Sequence, residues 1–216
     1  MKKVIGIISY FPPSIIKEVR KNKLISLIIK CKEVFRLPFI IIAQNWSTQD
    51  EEDILKIASD ITLCSVKDKL GITGARKYLR NIFLNSDYDC LIMLDDDCTI
   101  YGNRESGLNY LRQIDNNPNR FYEFNKTLLK LFAISKEVFK LEDYEDINPE
   151  DGEGFEDRIF VNKLREKYPE KRYIFNKGTL RESSVSTKDI YSTWYTNQDL
   201  SKMLDNTFNC IEKFKK

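Results

Sequence analysis

Three consecutive carboxylates, Asp95, Asp96 and Asp97, follow the apolar run Leu91-Ile92-Met93-Leu94. A short apolar run of this kind predicts a buried strand, so the carboxylates stand at its C-terminal end. Clustered like charges repel one another and cannot be buried unpaired, so a cation is expected to meet them. Carboxylates bind divalent metal ions, and open α/β sheets bind ligands at the carboxyl ends of their strands. The cluster therefore favours a metal or phosphate site, and the alternative is three solvated aspartates that start a turn and cap a helix.

A second acidic pair, Glu156 and Asp157, follows the glycines Gly152 and Gly154 and precedes a segment with helical spacing. The helix dipole favours acidic residues in a first turn, which is a sufficient structural reason for the pair. The same dipole stabilises an ionised carboxylate that is ready to accept a proton. On this pattern alone, both a structural role and a general-base role remain open.

A third segment, Gly71 to Gly74, forms a glycine-bearing turn before a predicted helix that carries Arg76 and Lys77. Helix N-termini bind anions through their free backbone N–H groups, and two cations would add to that attraction. The spacing matches neither the P-loop nor the G-x-G-x-x-G pattern, so neither nucleotide-binding motif is indicated. A basic surface helix is the alternative interpretation.

The chain contains no histidine. This excludes histidine-based triads, histidine–zinc sites and histidine general bases, so proton transfer falls to Asp, Glu, Lys, Tyr or Cys. The cysteines are odd in number and lack C-x-x-C spacing, which predicts reduced thiols in a cytoplasmic protein. They are Cys31, Cys64, Cys90, Cys98 and Cys210.

The elements that must position these groups alternate between strand and helix in the first half of the chain. Strands are predicted at 4–9, 39–43, 61–64 and 90–94, and helices from Ser14 to before Pro38, at 50–59 and at 74–84. This rhythm predicts an α/β fold with a mostly parallel sheet flanked by helices. The second half is less regular: strands are predicted at 120–124, 128–134 and 173–175, a helix at 155–168, an exposed acidic loop at 142–153 and a mobile loop at 179–193.

Composition and charge are those of an ordinary globular domain. The chain has 216 residues, 42% of them hydrophobic and 31% charged, with a formal net charge of +2, too small to indicate nucleic-acid binding by itself. No apolar run reaches the length of a transmembrane helix, and the N-terminal apolar run is interpreted as a first strand rather than a signal peptide. An apolar stripe predicts a C-terminal amphipathic helix at 196–216, docked on the body by default.

Taken together and in order, these segments resemble the GT-A glycosyltransferases, in particular the family-2-like inverting enzymes. The resemblance is carried by 5–10, 40–45, 71–76, 87–97 and the Glu156-Asp157 pair. The family's Asp-x-Asp motif maps onto Asp95 and Asp97, and its Glu-Asp acceptor motif maps onto Glu156 and Asp157. The resemblance implies a GT-A (nucleotide-diphospho-sugar transferase, Rossmann-like) catalytic domain at 1–195, with a nucleotide-sugar-binding half at about 1–100 and an acceptor half at about 101–195.

The function implied by the resemblance is metal-dependent, inverting transfer of a sugar from a nucleotide-sugar donor, a UDP-sugar, to an acceptor hydroxyl. Asp97, with Asp95, would bind Mn²⁺ or Mg²⁺, Asp157 would be the general base, and Glu156 would orient the acceptor. The remaining donor contacts would come from Ser9, Tyr10, Asn45, Arg76, Asp95 and Asp96.

Two departures from the family pattern bear on donor and metal. The second strand ends in Ala43-Gln44-Asn45, where an acidic residue is more usual, and the histidine that completes the metal site of many relatives is missing. Glu182, Asp189 or water is expected to take its place, and metal binding is expected to be weak and donor-dependent.

The acceptor is open: a saccharide, a lipid-linked glycan and modified DNA are all compatible with the sequence. One alternative is therefore a phage-type DNA glycosyltransferase that acts on hydroxylated bases. A second alternative, from a different class, is a non-catalytic carbohydrate- or protein-binding module on a decayed transferase fold. The oligomeric state is not indicated by any of these patterns.

Overall fold

The computed structural model describes residues 1–11, 16–67, 70–123, 131–145, 156–175 and 181–183. The strands in chain order are β1 (Lys3–Tyr10), β2 (Phe39–Gln44), β3 (Ile61–Val66), β4 (Cys90–Asp95), β5 (Thr99–Tyr101), β6 (Phe121–Glu123), β7 (Leu131–Ser135), β8 (Arg172–Ile174) and β9 (Arg181–Ser183). The helices are α1 (Ile16–Val34), α2 (Thr48–Leu55), α3 (Gly71–Asn85), α4 (Arg104–Asn116), α5 (Lys136–Phe139) and α6 (Glu156–Lys167), and a 3₁₀ turn at Pro169–Lys171 precedes β8.

One seven-stranded sheet, in the order β3-β2-β1-β4-β7-β6-β8, organises the described residues. Strands β3, β2, β1 and β4 are parallel, and β7 runs antiparallel between β4 and β6. The predicted α/β fold with a mostly parallel sheet is confirmed. A separate two-stranded ribbon joins β5 to β9.

Helices cover both faces of the sheet, which explains why the central strands are almost continuously apolar. Successive side chains of β1 alternate between two hydrophobic clusters. Ile5 and Ile7 join the cluster on the side of α1 and α4, while Val4 and Ile8 join the one on the side of α3, α5 and α6. The sheet therefore lies between two cores, and its strand ends are left to carry polar groups.

The carboxyl ends of β1, β2 and β4 meet at one edge of the sheet because these three strands are parallel neighbours. Tyr10 lies opposite Gln44, and Ile8 lies opposite Asp95. The residues predicted to bind a donor at these strand ends are thereby brought into one region, as the sequence analysis expects.

Some elements differ from the sequence-based expectation. Helix α4 was not predicted, and β9 forms inside the stretch 179–193 that was predicted to be a mobile loop. Helices α2 and α3 each begin earlier than expected, at Thr48 and Gly71. The predicted C-terminal helix at 196–216 lies outside the described residues.

The described cysteines, Cys31, Cys64, Cys90 and Cys98, form no disulfide bonds with one another. Among the helices of the described residues, none combines the length and the apolar character needed to cross a bilayer.

Candidate active site

A tight turn at the end of β4 gathers two of the predicted aspartates. The backbone N–H of Cys98 donates to the carbonyl oxygen of Asp95 at 3.1 Å, so Asp96 and Asp97 occupy the middle of the turn. The potential ligand atoms of Asp95, Asp97 and Cys98 all lie within 4.8 Å of one another. Asp95 and Asp97 are predicted to share a metal ion, and the chain reversal at the strand end is what brings their carboxylates together.

Asp96 lies in the same turn but is buried, with only 5% of its surface exposed. Its two carboxylate oxygens accept hydrogen bonds from the Ser9 hydroxyl at 2.8 Å and from Arg20 Nη2 at 2.6 Å. Burial raises the pKa of Asp96, and the Arg20 ion pair opposes that rise. Asp96 thus ties the turn to β1 and α1, which fixes the position of its neighbours Asp95 and Asp97.

Arg76 is a fully buried cation, 2% exposed, in helix α3. Its Nη2 atom donates to Asp95 Oδ1 at 2.5 Å and to Asp157 Oδ2 at 2.7 Å, and its Nε lies 3.9 Å from Glu156 Oε1. Burial acts to lower the pKa of Arg76, but Asp157 and Asp95 outweigh it and raise that pKa well above its usual value. One permanently charged side chain therefore joins the carboxylate group of β4 to that of α6.

Asp157 stands in the first turn of α6, beside Glu156, as predicted. Its side chain is 19% exposed, and its Oδ2 atom accepts the hydrogen bond from Arg76. Burial raises the pKa of Asp157 to about 7; Arg76 opposes the rise, and the negative charges of Asp95 and Glu156 add to it. A carboxylate with a pKa near neutrality suits general-base catalysis, because it is partly ionised and still basic at pH 7.

Tyr144 is a site residue that the sequence analysis missed, because it lies in the stretch predicted to be an exposed acidic loop. It is 3% exposed and stacks on Phe160 of α6, with ring centroids 4.4 Å apart. Its side chain hydrogen-bonds to Asp157, and burial together with the Asp157 charge raises the pKa of Tyr144 well above its usual value. The available signal was that Tyr144 is the only aromatic residue between 142 and 153.

The ends of β1 and β2 hold the residues predicted to contact the nucleoside. Asn45 is exposed, has a φ of 57°, and donates from Nδ2 to the carbonyl oxygen of Phe11 at 2.8 Å. Tyr10 is half-buried, whereas Ser9 is buried and donates its hydroxyl hydrogen bond to Asp96. Phe11 stacks on Trp46 at a centroid distance of 4.5 Å, which adds an aromatic pair that the sequence analysis did not single out.

The donor set at the β4 turn fits a divalent metal ion. Two carboxylates supply the hard oxygen ligands that Mg²⁺ and Mn²⁺ prefer, and the Cys98 thiol adds a softer sulfur ligand. Of the expected substitutes for histidine, Glu182 has its backbone in β9 opposite Ile100, two residues beyond Cys98. Asp189, the other, lies outside the described residues.

No protein-family model matches the chain, and no curated protein sequence matches it. Solved structures do match. S. aureus TarS 1–349 aligns over 87% of this chain and 61% of its own length, at 13% identity and a TM-score of 0.60. A mannosyltransferase from Pyrobaculum calidifontis, solved with GDP-Man and Mn²⁺, aligns over 82% of this chain and 55% of its own, at 11% identity and a TM-score of 0.58.

The glycosyltransferase GlyE of Streptococcus pneumoniae aligns over 81% of this chain and 45% of its own, at 13% identity and a TM-score of 0.54. The fold of the chain is therefore the GT-A α/β fold that the resemblance implied. At these identities the likeness concerns the fold alone. The chain spans 61% of the TarS structure, 55% of the mannosyltransferase and 45% of GlyE.

Proposed function

We propose that the protein is a metal-dependent, inverting glycosyltransferase that moves a sugar from a nucleotide-sugar donor, a UDP-sugar, to an acceptor hydroxyl. The observation that carries the proposal is the pairing of two carboxylate groups across one buried cation. Asp95, at the end of β4, and Asp157, at the start of α6, accept from the same nitrogen of Arg76. One group suits a metal and its diphosphate ligand, and the other suits an acceptor hydroxyl.

On the donor side, Asp97 and Asp95 would hold Mn²⁺ or Mg²⁺, which supplies positive charge to the donor diphosphate as it departs. Asp95 would also face the ribose or a metal-bound water, with Asp96 behind it anchoring the turn. Tyr10 and Asn45 would line the nucleoside pocket at the ends of β1 and β2. Ser9 would support that wall through its hydrogen bond to Asp96.

On the acceptor side, Asp157 would take the proton of the acceptor hydroxyl while that oxygen attacks the anomeric carbon. The bond to the nucleoside diphosphate breaks on the opposite face of the sugar, so a single displacement inverts the anomeric configuration. Glu156 would orient the acceptor. Arg76, because its guanidinium is 2% exposed, would serve the donor through Asp95 and the base through Asp157.

The test is a thermal-shift screen of nucleotide sugars, with UDP-sugars and GDP-sugars compared in the presence and absence of Mn²⁺. A ligand that binds only the native state stabilises it by about 2.7 kcal/mol at a hundredfold excess over Kd. For a chain of this length, that corresponds to a rise in Tm of roughly 5–10 °C. We expect the shift with a UDP-sugar and Mn²⁺ together, and a much smaller one with either alone.

The variant Asp97→Ala should abolish the Mn²⁺-dependent part of the shift, because it removes a metal ligand. Glu33→Gln, a change to an exposed carboxylate on α1, is the control and should behave as the wild type. A metal-dependent shift that persists in Asp97→Ala would remove Asp97 from the metal site. The absence of a shift with any nucleotide sugar would contradict the proposed function.

A further inference from the structure

We infer that Cys98 is a third protein ligand of the metal at the β4 turn and that its thiolate biases this site toward thiophilic divalent cations over Mg²⁺. The inference rests on the proposed function for the presence of a metal. It goes beyond that function by naming a third protein ligand in a chain without histidine, and by naming the class of metal that this ligand favours.

The geometry of the turn places the thiol where a ligand is needed. Cys98 is residue i+3 of the turn that begins at Asp95, and its backbone N–H closes the turn on the Asp95 carbonyl oxygen. Its Sγ and one oxygen each of Asp95 and Asp97 lie within 4.8 Å of one another. Metal–oxygen bonds of about 2.1 Å and metal–sulfur bonds of about 2.3 Å allow one ion to reach three atoms at such separations with small side-chain adjustments.

The turn is also held in place before any ion arrives. Asp96 is anchored by Ser9 and Arg20, so the turn is fastened to β1 and α1. Arg76 Nη2 donates to the Oδ1 atom of Asp95. A carboxylate has two oxygens, so Asp95 can bond to Arg76 and a metal at once.

Cys98 differs from the other described cysteines in its surroundings. Burial raises the pKa of Cys31 well above its usual value and that of Cys90 to about 12, and both lie among core side chains. Cys98 belongs to the same core cluster, at 6% exposure, but its thiol also lies within 4.8 Å of carboxylate oxygens of Asp95 and Asp97. Core packing alone therefore accounts for Cys31 and Cys90 more completely than for Cys98.

The chemistry follows from ligand softness. When the metal–sulfur bond forms, the S–H bond breaks and the proton passes to the solvent, so the ion meets a thiolate and two carboxylates. A thiolate is a soft ligand that strengthens binding of Co²⁺, Zn²⁺ and Cd²⁺, whereas Mg²⁺ gains little from sulfur. The expected order at this site is thus thiophilic cations first, Mn²⁺ next and Mg²⁺ last.

The experiment is a Co²⁺ titration of the reduced full-length protein, with and without UDP. Binding is followed by the near-ultraviolet sulfur-to-cobalt charge-transfer band, which needs a thiolate ligand and no turnover. We expect the band in the wild type and its loss in Cys98→Ser, with Co²⁺ affinity weakened by about tenfold or more. Mg²⁺ affinity in the presence of UDP should stay within roughly twofold, because Mg²⁺ depends on the carboxylates.

Two controls make the result decisive. Cys64→Ser, in β3, removes a half-buried cysteine away from the turn and should leave the band intact. Cys98→Ala, with a thermal-unfolding check of both Cys98 variants, guards against a folding defect in one of them. A band that survives in Cys98→Ser, or no band in the folded wild type with or without UDP, would overturn the inference.

The outcome is separable from that of the proposed function. If Cys98 is no ligand but donor binding stands, Mn²⁺-dependent UDP-sugar binding persists unchanged in Cys98→Ser. If the proposed function fails, no nucleotide sugar binds to either protein, whatever the cobalt band shows.

Discussion

Asp157 occupies an environment unlike that of an ordinary surface carboxylate. Burial and the neighbouring Asp95 and Glu156 favour its protonated form, while Arg76 favours its ionised form. The balance leaves its pKa at about 7, so at neutral pH a substantial fraction is an ionised base. The sequence identified Asp157 as a candidate base, but its basicity depends on Arg76 and Tyr144, which reach it only in the folded chain.

The pH dependence of transfer should report this balance. A base must be ionised to accept a proton, so kcat/KM of the wild type should rise with pH and level off above about pH 7. Asp157→Asn should lower turnover by about 10²–10⁴-fold and remove this rise, while donor binding is spared. The measurements are initial rates across pH and UDP-sugar binding by thermal shift. Equal turnover in the Asn variant would remove Asp157 from the role of base.

At the scale of elements, three cationic side chains of helix α1 form ion pairs with aspartates that follow strands β2 and β4. Arg20 binds Asp96, while Lys17 and Lys21 bind Asp50, the N3 residue of the capping box that starts α2. Burial acts to raise the pKa of Asp50, but Lys17 and Ser47 outweigh it and hold that pKa far below its usual value. Three cations of one helix thereby connect α1 to β4 and α2.

Asp50→Asn should lower the free energy of unfolding by about 1–3 kcal/mol at pH 7, because the buried ion pairs with Lys17 and Lys21 are lost. A lowered folded-state pKa means that Asp50 stabilises the fold above the unfolded pKa of about 3.9, and that this stability is lost as pH falls toward the folded value. The gap between wild type and variant should therefore shrink below about pH 4. Urea unfolding at several pH values measures the stability difference between the wild type and Asp50→Asn, with Glu33→Gln as the control. A difference independent of pH would contradict the stabilising role of the ionised Asp50.

Gly107 fixes the approach of α4 to α1. A Cβ atom at this position would lie 2.2 Å from the carbonyl oxygen of Val34, and that backbone cannot yield cheaply. Gly107→Ala should therefore destabilise the protein by about 1–3 kcal/mol, despite the higher helix propensity of alanine. Gly74→Ala in α3 is the matched control, since its Cβ would meet only the Leu70 Cβ at 3.1 Å. Urea unfolding of both variants gives the comparison, and equal stability would show that the α1–α4 contact adapts.

At the scale of the whole molecule, the sequence predicts the parallel half of the sheet well. Strands β1 to β4 are apolar runs buried between two helix layers, and such runs are visible without tertiary information. Helix α4 and β9 are not visible in this way. Helix α4 contains Gly107, a poor helix former that is needed for a long-range contact with α1, and β9 depends on pairing with β5 about eighty residues earlier in the chain.

The residues of the candidate site likewise fall into those predictable from local sequence patterns and those that depend on tertiary packing. The aspartates of the β4 turn and the Glu156-Asp157 pair could be predicted because carboxylate clusters at strand and helix ends are local patterns. The burial of Arg76 and Tyr144 could not, since it results from long-range contacts of α6 with α3 and with the segment 140–145 that follows α5. The acceptor class and the domain boundaries at 195 and 196 remain predictions.

The guanidinium of Arg76, which contacts both Asp95 and Asp157, has a thermodynamic consequence for binding affinities at the site. A ligand that weakens the contact between Asp95 and Arg76 alters the contact between Arg76 and Asp157. A ligand that binds Asp157 likewise alters the contact between Arg76 and Asp95. Such a coupling is reciprocal: the factor by which donor and metal alter acceptor affinity equals the factor by which the acceptor alters theirs. Under the proposed function, this single buried arginine would couple donor binding to acceptor binding.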